Sequence, residues 1–136
     1  MVIDTSAIIA ILRMEPEAEL FLRTIAAQET LLMSSVSALE AAMVLAKGLD
    51  ETMAWQPLDE FIAASRIEIV AFDAEQSRMA REAFAKFGKG RHKAGLNLGD
   101  CTAYALAMSR GMPLLFKGND FSSTDVAMAP PLTTSH

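Results

Sequence analysis

Short apolar runs alternate with stretches of helical periodicity along this chain, and that alternation constrains the fold more than any other feature. Val2 with Ile3, Thr30 to Met33, Ile67 to Val70 and Leu114 to Phe116 read as strands. Helical segments separate them. Strands that alternate with helices lead to a parallel sheet whose two faces are both covered. The expected fold class is therefore α/β, a three-layer α/β/α domain with a short central parallel sheet of about four to five strands.

The helices announce themselves by their ends. Thr5 to Leu12 reads as a helix finishing near Arg13, and Pro16 opens a second, with an apolar stripe of Leu20, Phe21 and Ile25. Ser37 and Glu40 have capping-box spacing and start a third, which Gly48 stops. A fourth covers about Leu58 to Ser65. Asp73 and Gln76 repeat the capping-box spacing and begin a fifth, expected to bury Ala80, Ala83, Phe84 and Phe87. The stretch GKGRHKAGLNLG, residues 88 to 99, holds four glycines and reads as a loop. Asp100 begins the sixth helix, which runs to Arg110 and ends at Gly111. A turn at Gly118, Asn119 and Asp120 closes the last strand.

No repeat or linker interrupts this pattern, so residues 1–136 are expected to form one domain, with a frayed tail from about Ala129. Hydrophobic residues make up 51% of the chain, enough to leave apolar surface for a partner or a homodimer. A formal charge of -5 provides no general positive field, so any contact with nucleic acid must be local. The single cysteine, Cys101, excludes an intrachain disulfide and a cysteine-clustered zinc site. No basic, apolar leader is visible and the run Ala7 to Leu12 is too short to span a bilayer. The expectation is a cytoplasmic protein with no membrane contact.

Four acids fall where such a sheet binds its ligands, outside the carboxyl ends of the strands. Asp4 ends the first strand, Glu40 lies in the first turn of the helix after the second, Asp100 starts the helix before the last strand, and Asp120 lies just beyond that strand. Each has an ordinary explanation as a cap or a turn residue. Their surroundings argue for more, because VIDTSAII and NLGDCTAYALA set Asp4 and Asp100 among apolar and small residues. Two carboxylates ~4 Å apart repel by about 4 kcal/mol at an effective dielectric near 20, so a cluster takes up protons or binds a cation. Oxygen-only ligands favour Mg²⁺ or Mn²⁺, and such an ion suits phosphodiester hydrolysis: it polarises a phosphate oxygen, orients a hydroxide nucleophile and offsets charge on the leaving oxygen.

Four segments in order carry a resemblance to a known family: VIDTSAIIAIL at 2 to 12, SSVSALEAAMVL at 34 to 45, LNLGDCTAYALA at 96 to 107 and LLFKGNDFSSTDV at 114 to 126. Together they resemble the PIN-domain ribonucleases, and within them the VapC toxins of bacterial toxin-antitoxin pairs. The resemblance covers nearly the whole chain. It implies a PIN-like fold and an acidic cluster of Asp4, Glu40, Asp100 and Asp120, with Asp4 and Asp100 as the direct metal ligands and Thr5 or Ser6 lending a hydroxyl. The last strand offers either Asp120 or Asp125 as the fourth acid, and Asp120 lies nearer the strand end. It further implies Mg²⁺- or Mn²⁺-dependent endonucleolytic cleavage of RNA, a homodimer or a hetero-oligomer with antitoxin, and inhibition of translation or growth unless a VapB-type antitoxin covers the active-site groove.

Lys86, Lys89, Arg91, His92 and Lys93 make the one dense basic stretch, seven residues ahead of Asp100, and Lys89, Arg91 and Lys93 are candidates to hold RNA phosphates. Lys117 is a further candidate at the strand end. His92 in such a loop is a poor ligand, Cys101 reads as packing, and Trp55 and Tyr104 lack the basic interleaving of a stacking platform. Two other functions fit a parallel sheet with acids at its edge. A phospho-acceptor domain would need an acid where Ser6 stands or a paired acid ahead of a central-strand acceptor, and neither is present. A non-catalytic interaction module would use the acids only as caps.

Overall fold

A computed structural model describes residues 1–129 of the chain; the segment from 130 onward, which includes most of the expected frayed tail, lies outside the described residues. Ten elements follow in order: β1 (Val2–Ile3), α1 (Thr5–Leu12), α2 (Ala18–Ala26), β2 (Leu32–Ser34), α3 (Ser35–Leu45), α4 (Glu51–Ala64), β3 (Glu68–Val70), α5 (Ala74–Phe87), α6 (Leu98–Arg110) and β4 (Leu114–Leu115). The strands form one parallel sheet in the order β3-β2-β1-β4. The α/β class and the four-stranded parallel sheet agree with the sequence expectation.

Successive strand residues point to opposite faces, and this period of two builds the layers. Ile3, Met33 and Leu115 face a core made with Ala7, Ile8 and Ile11 of α1, Phe21 and Ile25 of α2, Ala41 of α3 and Leu58 of α4. Val2, Leu32 and Leu114 face the other core, made with Ala80 and Ala83 of α5, Ala103 and Leu106 of α6, and Phe121. Two helices are buried nearly all round. Thr5 and Ala7 to Ile11 of α1 are buried, as is every residue from Gly99 to Ala107 of α6. Burial on all sides explains why neither segment shows a polar stripe.

Several helix starts differ from the sequence reading, each for a local reason. Pro16 and Glu17 stay in the turn, and α2 begins at Ala18. α3 follows β2 without a loop and is capped by Ser34, whose Oγ accepts the Val36 N–H at 3.2 Å. Ser37 is therefore inside the helix, and its buried hydroxyl has no partner; the Ser37–Glu40 capping box does not form, and Glu40 sits in the second turn. α4 starts at Glu51, not near Leu58, and is capped by Asp50, whose Oδ1 accepts the Met53 N–H at 2.9 Å. Pro57 is tolerated within it because it lies on the exposed side, where the carbonyl left unpaired can take water. In α5 Ala80 and Ala83 are buried as expected, but Phe84 is 41% exposed and Phe87 only half-buried.

The sixth helix begins at Leu98, two residues before Asp100. Asn97 is its cap: the Asn97 side chain accepts the Asp100 N–H at 2.9 Å, and Asp100 Oδ2 accepts the Asn97 N–H at 3.1 Å. Gly111 ends the helix at φ 61, a conformation that favours glycine, and β4 stops at Leu115 rather than Phe116. Among the described residues no helix is long and apolar enough to cross a membrane.

Candidate active site

The strand order reverses at β1. The chain moves from β1 to β2 to β3 on one side and then returns to place β4 on the other, so the carboxyl ends of β1 and β4 open a crevice at the switch point. Asp4 follows β1 directly and the turn carrying Lys117 to Asp120 follows β4.

Asp4 is 5% exposed and caps α1. Its Oδ2 accepts the Ser6 N–H at 3.0 Å and the Ser6 Oγ–H at 2.6 Å, which leaves Oδ1 uncommitted. Capping thus uses one oxygen of the carboxylate and leaves the other able to take a ligand. Asp100, also buried, accepts the Asn97 N–H through Oδ2 and feels the charges of Asp4 and Asp120. Glu40 is half-buried on α3 and lies against α6: a Cβ placed on Gly99 would meet its two oxygens at 2.5 and 2.6 Å. Glycine at 99 is what allows the Glu40 carboxylate of α3 to lie against the first turn of α6.

Electrostatics ties the set together. Burial pushes the Asp4 carboxyl up to about 6; the Ser6 hydrogen bonds oppose this, and the charges of Glu40 and Asp120 add to it. Asp100 is pushed up to about 7, by burial first and then by the charges of Asp4 and Asp120, against the Asn97 hydrogen bond. Asp120 therefore acts on both buried acids. Asp125 instead accepts a hydrogen bond from the Tyr104 hydroxyl on the α5–α6 side of the sheet. Of the two choices at the fourth position, the structure brings Asp120 to the cluster.

The donors suit a hard divalent cation. Desolvated carboxylates that raise one another's proton affinity need a counter-charge, and an all-oxygen set selects Mg²⁺ or Mn²⁺ over softer ions. Among the described residues no three acid, histidine or cysteine side chains are grouped so that they could hold a metal ion together, so the fit rests on the buried pair Asp4 and Asp100. An ion held by two carboxylates with the others further out keeps several waters, which is the usual habit of Mg²⁺.

The remaining candidates separate clearly. Ser6 places its hydroxyl on Asp4, whereas the Thr5 hydroxyl donates to the Ser37 carbonyl at 2.9 Å and ties α1 to α3. Lys117 is committed to acids of the α1–α2 turn, with Nζ 2.7 Å from Glu15 and 3.2 Å from Glu17. Lys89, Arg91 and Lys93 are exposed; the Arg91 guanidinium lies 5.3 Å from the centre of the Phe84 ring. His92 Nδ1 accepts the Ala94 N–H at 3.0 Å, and its ring packs on Phe87. Cys101 is buried, with its thiol pushed up by burial and then by the charge of Asp100. Beside Glu40 and Gly99 an apolar cavity of about 380 Å³ is lined by Val36, Leu39, Met43 and Leu98. Asn97 and Gly99 escaped the sequence reading. The N-x-x-D spacing from Asn97 to Asp100 was the available signal for the first; a close helix approach leaves no one-dimensional trace for the second.

Comparison with known proteins bears on the fold and on the family. The PIN domain family profile matches residues 1–127. Ribonuclease VapC of Mycolicibacterium smegmatis is 49% identical over 127 residues, spanning 93% of this chain and 98% of that protein. Among solved structures, VapC20 of Mycobacterium tuberculosis, described as a sarcin-ricin loop cleaving toxin, superposes with a TM-score of 0.73 at 14% identity, covering 93% of this chain and 95% of that one. VapBC2 of Rickettsia felis, solved bound to a DNA fragment from its promoter, gives 0.72 at 19% identity, covering 93% and 94%. These two likenesses bear on the fold; the sequence matches bear on descent. The chain belongs to the PIN-domain family, among its VapC ribonucleases.

Proposed function

We propose that this protein is a divalent-metal-dependent endoribonuclease that acts as the toxin of a toxin-antitoxin pair. The observation that carries the reading is the placement of Asp4 and Asp100 at the switch point of the sheet, both buried and both raised first by that burial and then by acid neighbours. The family membership and the description of VapC20 as a toxin support the same reading.

Asp4 and Asp100 would hold the ion, Mg²⁺ or Mn²⁺, with Glu40 and Asp120 placed to orient its water. When bound, such an ion supplies Lewis-acid activation of a phosphate oxygen and of water. The chain's own residues prepare the ground. Ser6 holds the Asp4 carboxylate through two hydrogen bonds, and the Asn97 N–H holds the Asp100 carboxylate through one. The exposed cations Lys89, Arg91 and Lys93 are suited to the RNA backbone, and they supply local positive charge in a chain of net charge -5. A VapB-type antitoxin is the proposed partner, a homodimer the proposed assembly of the toxin, and the cytoplasm its proposed location, where its RNA substrate is found.

The test is cleavage of a single-stranded RNA by purified protein with Mn²⁺, repeated for Asp4→Ala and Asp100→Ala and with EDTA. Activity is expected in the first case alone, with at least a 100-fold loss in each variant. Equal cleavage by the three proteins, or cleavage indifferent to EDTA, refutes the assignment.

A further inference from the structure

Lys117 reaches the acidic cluster without contacting it. Its backbone N–H donates to Ser6 Oγ at 2.9 Å, and Ser6 Oγ in turn donates to Asp4 at 2.6 Å. Its ammonium meanwhile lies 2.7 Å from Glu15 Oε1 and 3.2 Å from Glu17 Oε2, in the turn between α1 and α2. The same short segment, three residues on, carries Asp120, whose charge acts on both Asp4 and Asp100. Glu17 Oε2 is shielded from water and makes no hydrogen bond of its own, so the ammonium is its counter-charge.

We propose that Lys117 is a positioning residue of the active site: pinned at one end to Ser6 and at the other to Glu15 and Glu17, it fixes the turn after β4 so that Asp120 faces Asp4 and Asp100. Two anchor points on one residue restrain both the path of the turn and its rotation. Gly118, at φ 99, then turns the chain from this held residue toward Asp120. Lys117 cannot then serve as an RNA phosphate contact without giving up its acids, and this distinguishes the two roles by experiment. The inference deepens the ribonuclease reading above, and its first readout does not depend on RNA.

Three variants of the full chain decide the matter: Lys117→Met, the double change Glu15→Gln with Glu17→Gln, and the charge swap Lys117→Glu with Glu15→Lys and Glu17→Lys. Mn²⁺ binding is measured by calorimetry, RNA cleavage as separate kcat and KM, and folding by thermal melts. Loss of a group that orients a metal ligand costs about 10- to 100-fold in affinity or activity. Lys117→Met and the double Gln variant are both expected to weaken Mn²⁺ binding at least tenfold and to lower kcat with KM for RNA unchanged, and the swap to recover most of the loss. A phosphate-contact role predicts instead a raised KM and a shallower salt dependence for Lys117→Met, with the double Gln variant fully active and Mn²⁺ binding intact. That outcome overturns the proposal, as does a folded swap variant no better than Lys117→Met. Should Lys117→Met unfold on losing the counter-charge to Glu17, the double Gln variant, which leaves no orphaned carboxylate, decides alone. If the wild-type protein binds Mn²⁺ but cleaves no RNA, the ribonuclease reading fails while the binding measurements still judge Lys117.

Discussion

Asp4→Asn should stabilise this protein when no metal is present and destabilise it relative to wild type when metal is added. A carboxyl lifted from an ordinary 3.8 to about 6 carries about 3 kcal/mol against its ionised form at neutral pH. Asparagine keeps an oxygen for the two Ser6 donors and drops the charge, while its amide protons must find new acceptors, returning about 1 kcal/mol. The net gain is about 2 kcal/mol, or about 6 to 8 °C in Tm for a domain of this size. The pH dependence follows in sign. Because the folded state holds this proton more tightly than the unfolded state, wild-type stability falls as pH rises from about 3.8 to about 6 and is level above that. The advantage of Asp4→Asn is thus full at pH 7.5 and absent near pH 3.5. Mn²⁺ at a hundred times its dissociation constant adds about 2.7 kcal/mol to wild type and little to the variant, which reverses their order. Urea unfolding of both proteins at the two pH values, in EDTA and in Mn²⁺, measures all of this. A variant less stable than wild type at pH 7.5 in EDTA would show that the carboxylate is not held under desolvation and repulsion, and the argument for a cation would lose its basis.

Two further substitutions probe how the site is assembled. Gly99→Ala puts a Cβ within 2.6 Å of the Glu40 carboxylate, whose flexible end can swing aside; melts should change by about 1 kcal/mol or less while RNA cleavage falls about 10- to 100-fold, and unchanged cleavage would remove Glu40 from the site. Ser34→Ala should cost about 1 kcal/mol as a lost cap, whereas Ser37→Ala, deleting a buried hydroxyl with no partner, should be neutral or stabilising. The opposite ordering in denaturant unfolding would restore Ser37 as the cap.

The sequence by itself determined the α/β layering, because the alternation of short apolar runs with helical segments admits few other folds. It also marked Asp4 and Asp100, since residues such as VIDTSAII and LGDCTAYALA set them among apolar and small neighbours, where a solvated cap is seldom found, although both also serve as caps. Local rules failed where two elements meet. The Ser37–Glu40 spacing satisfies a capping rule, but β2 runs straight into α3, so Ser34 takes the cap and Glu40 turns toward Gly99. Lys117 looked available to RNA because its two acids lie about a hundred residues away in the chain. Asp120 and Asp125 were both plausible on spacing, and only the fold separates them, by giving Asp125 to Tyr104 and setting Asp120 against the buried pair. Periodicity and local capping are properties of a few consecutive residues, so one dimension can carry them. Which oxygen faces which across a crevice depends on strand order and helix approach, and those exist only once the chain has closed on itself.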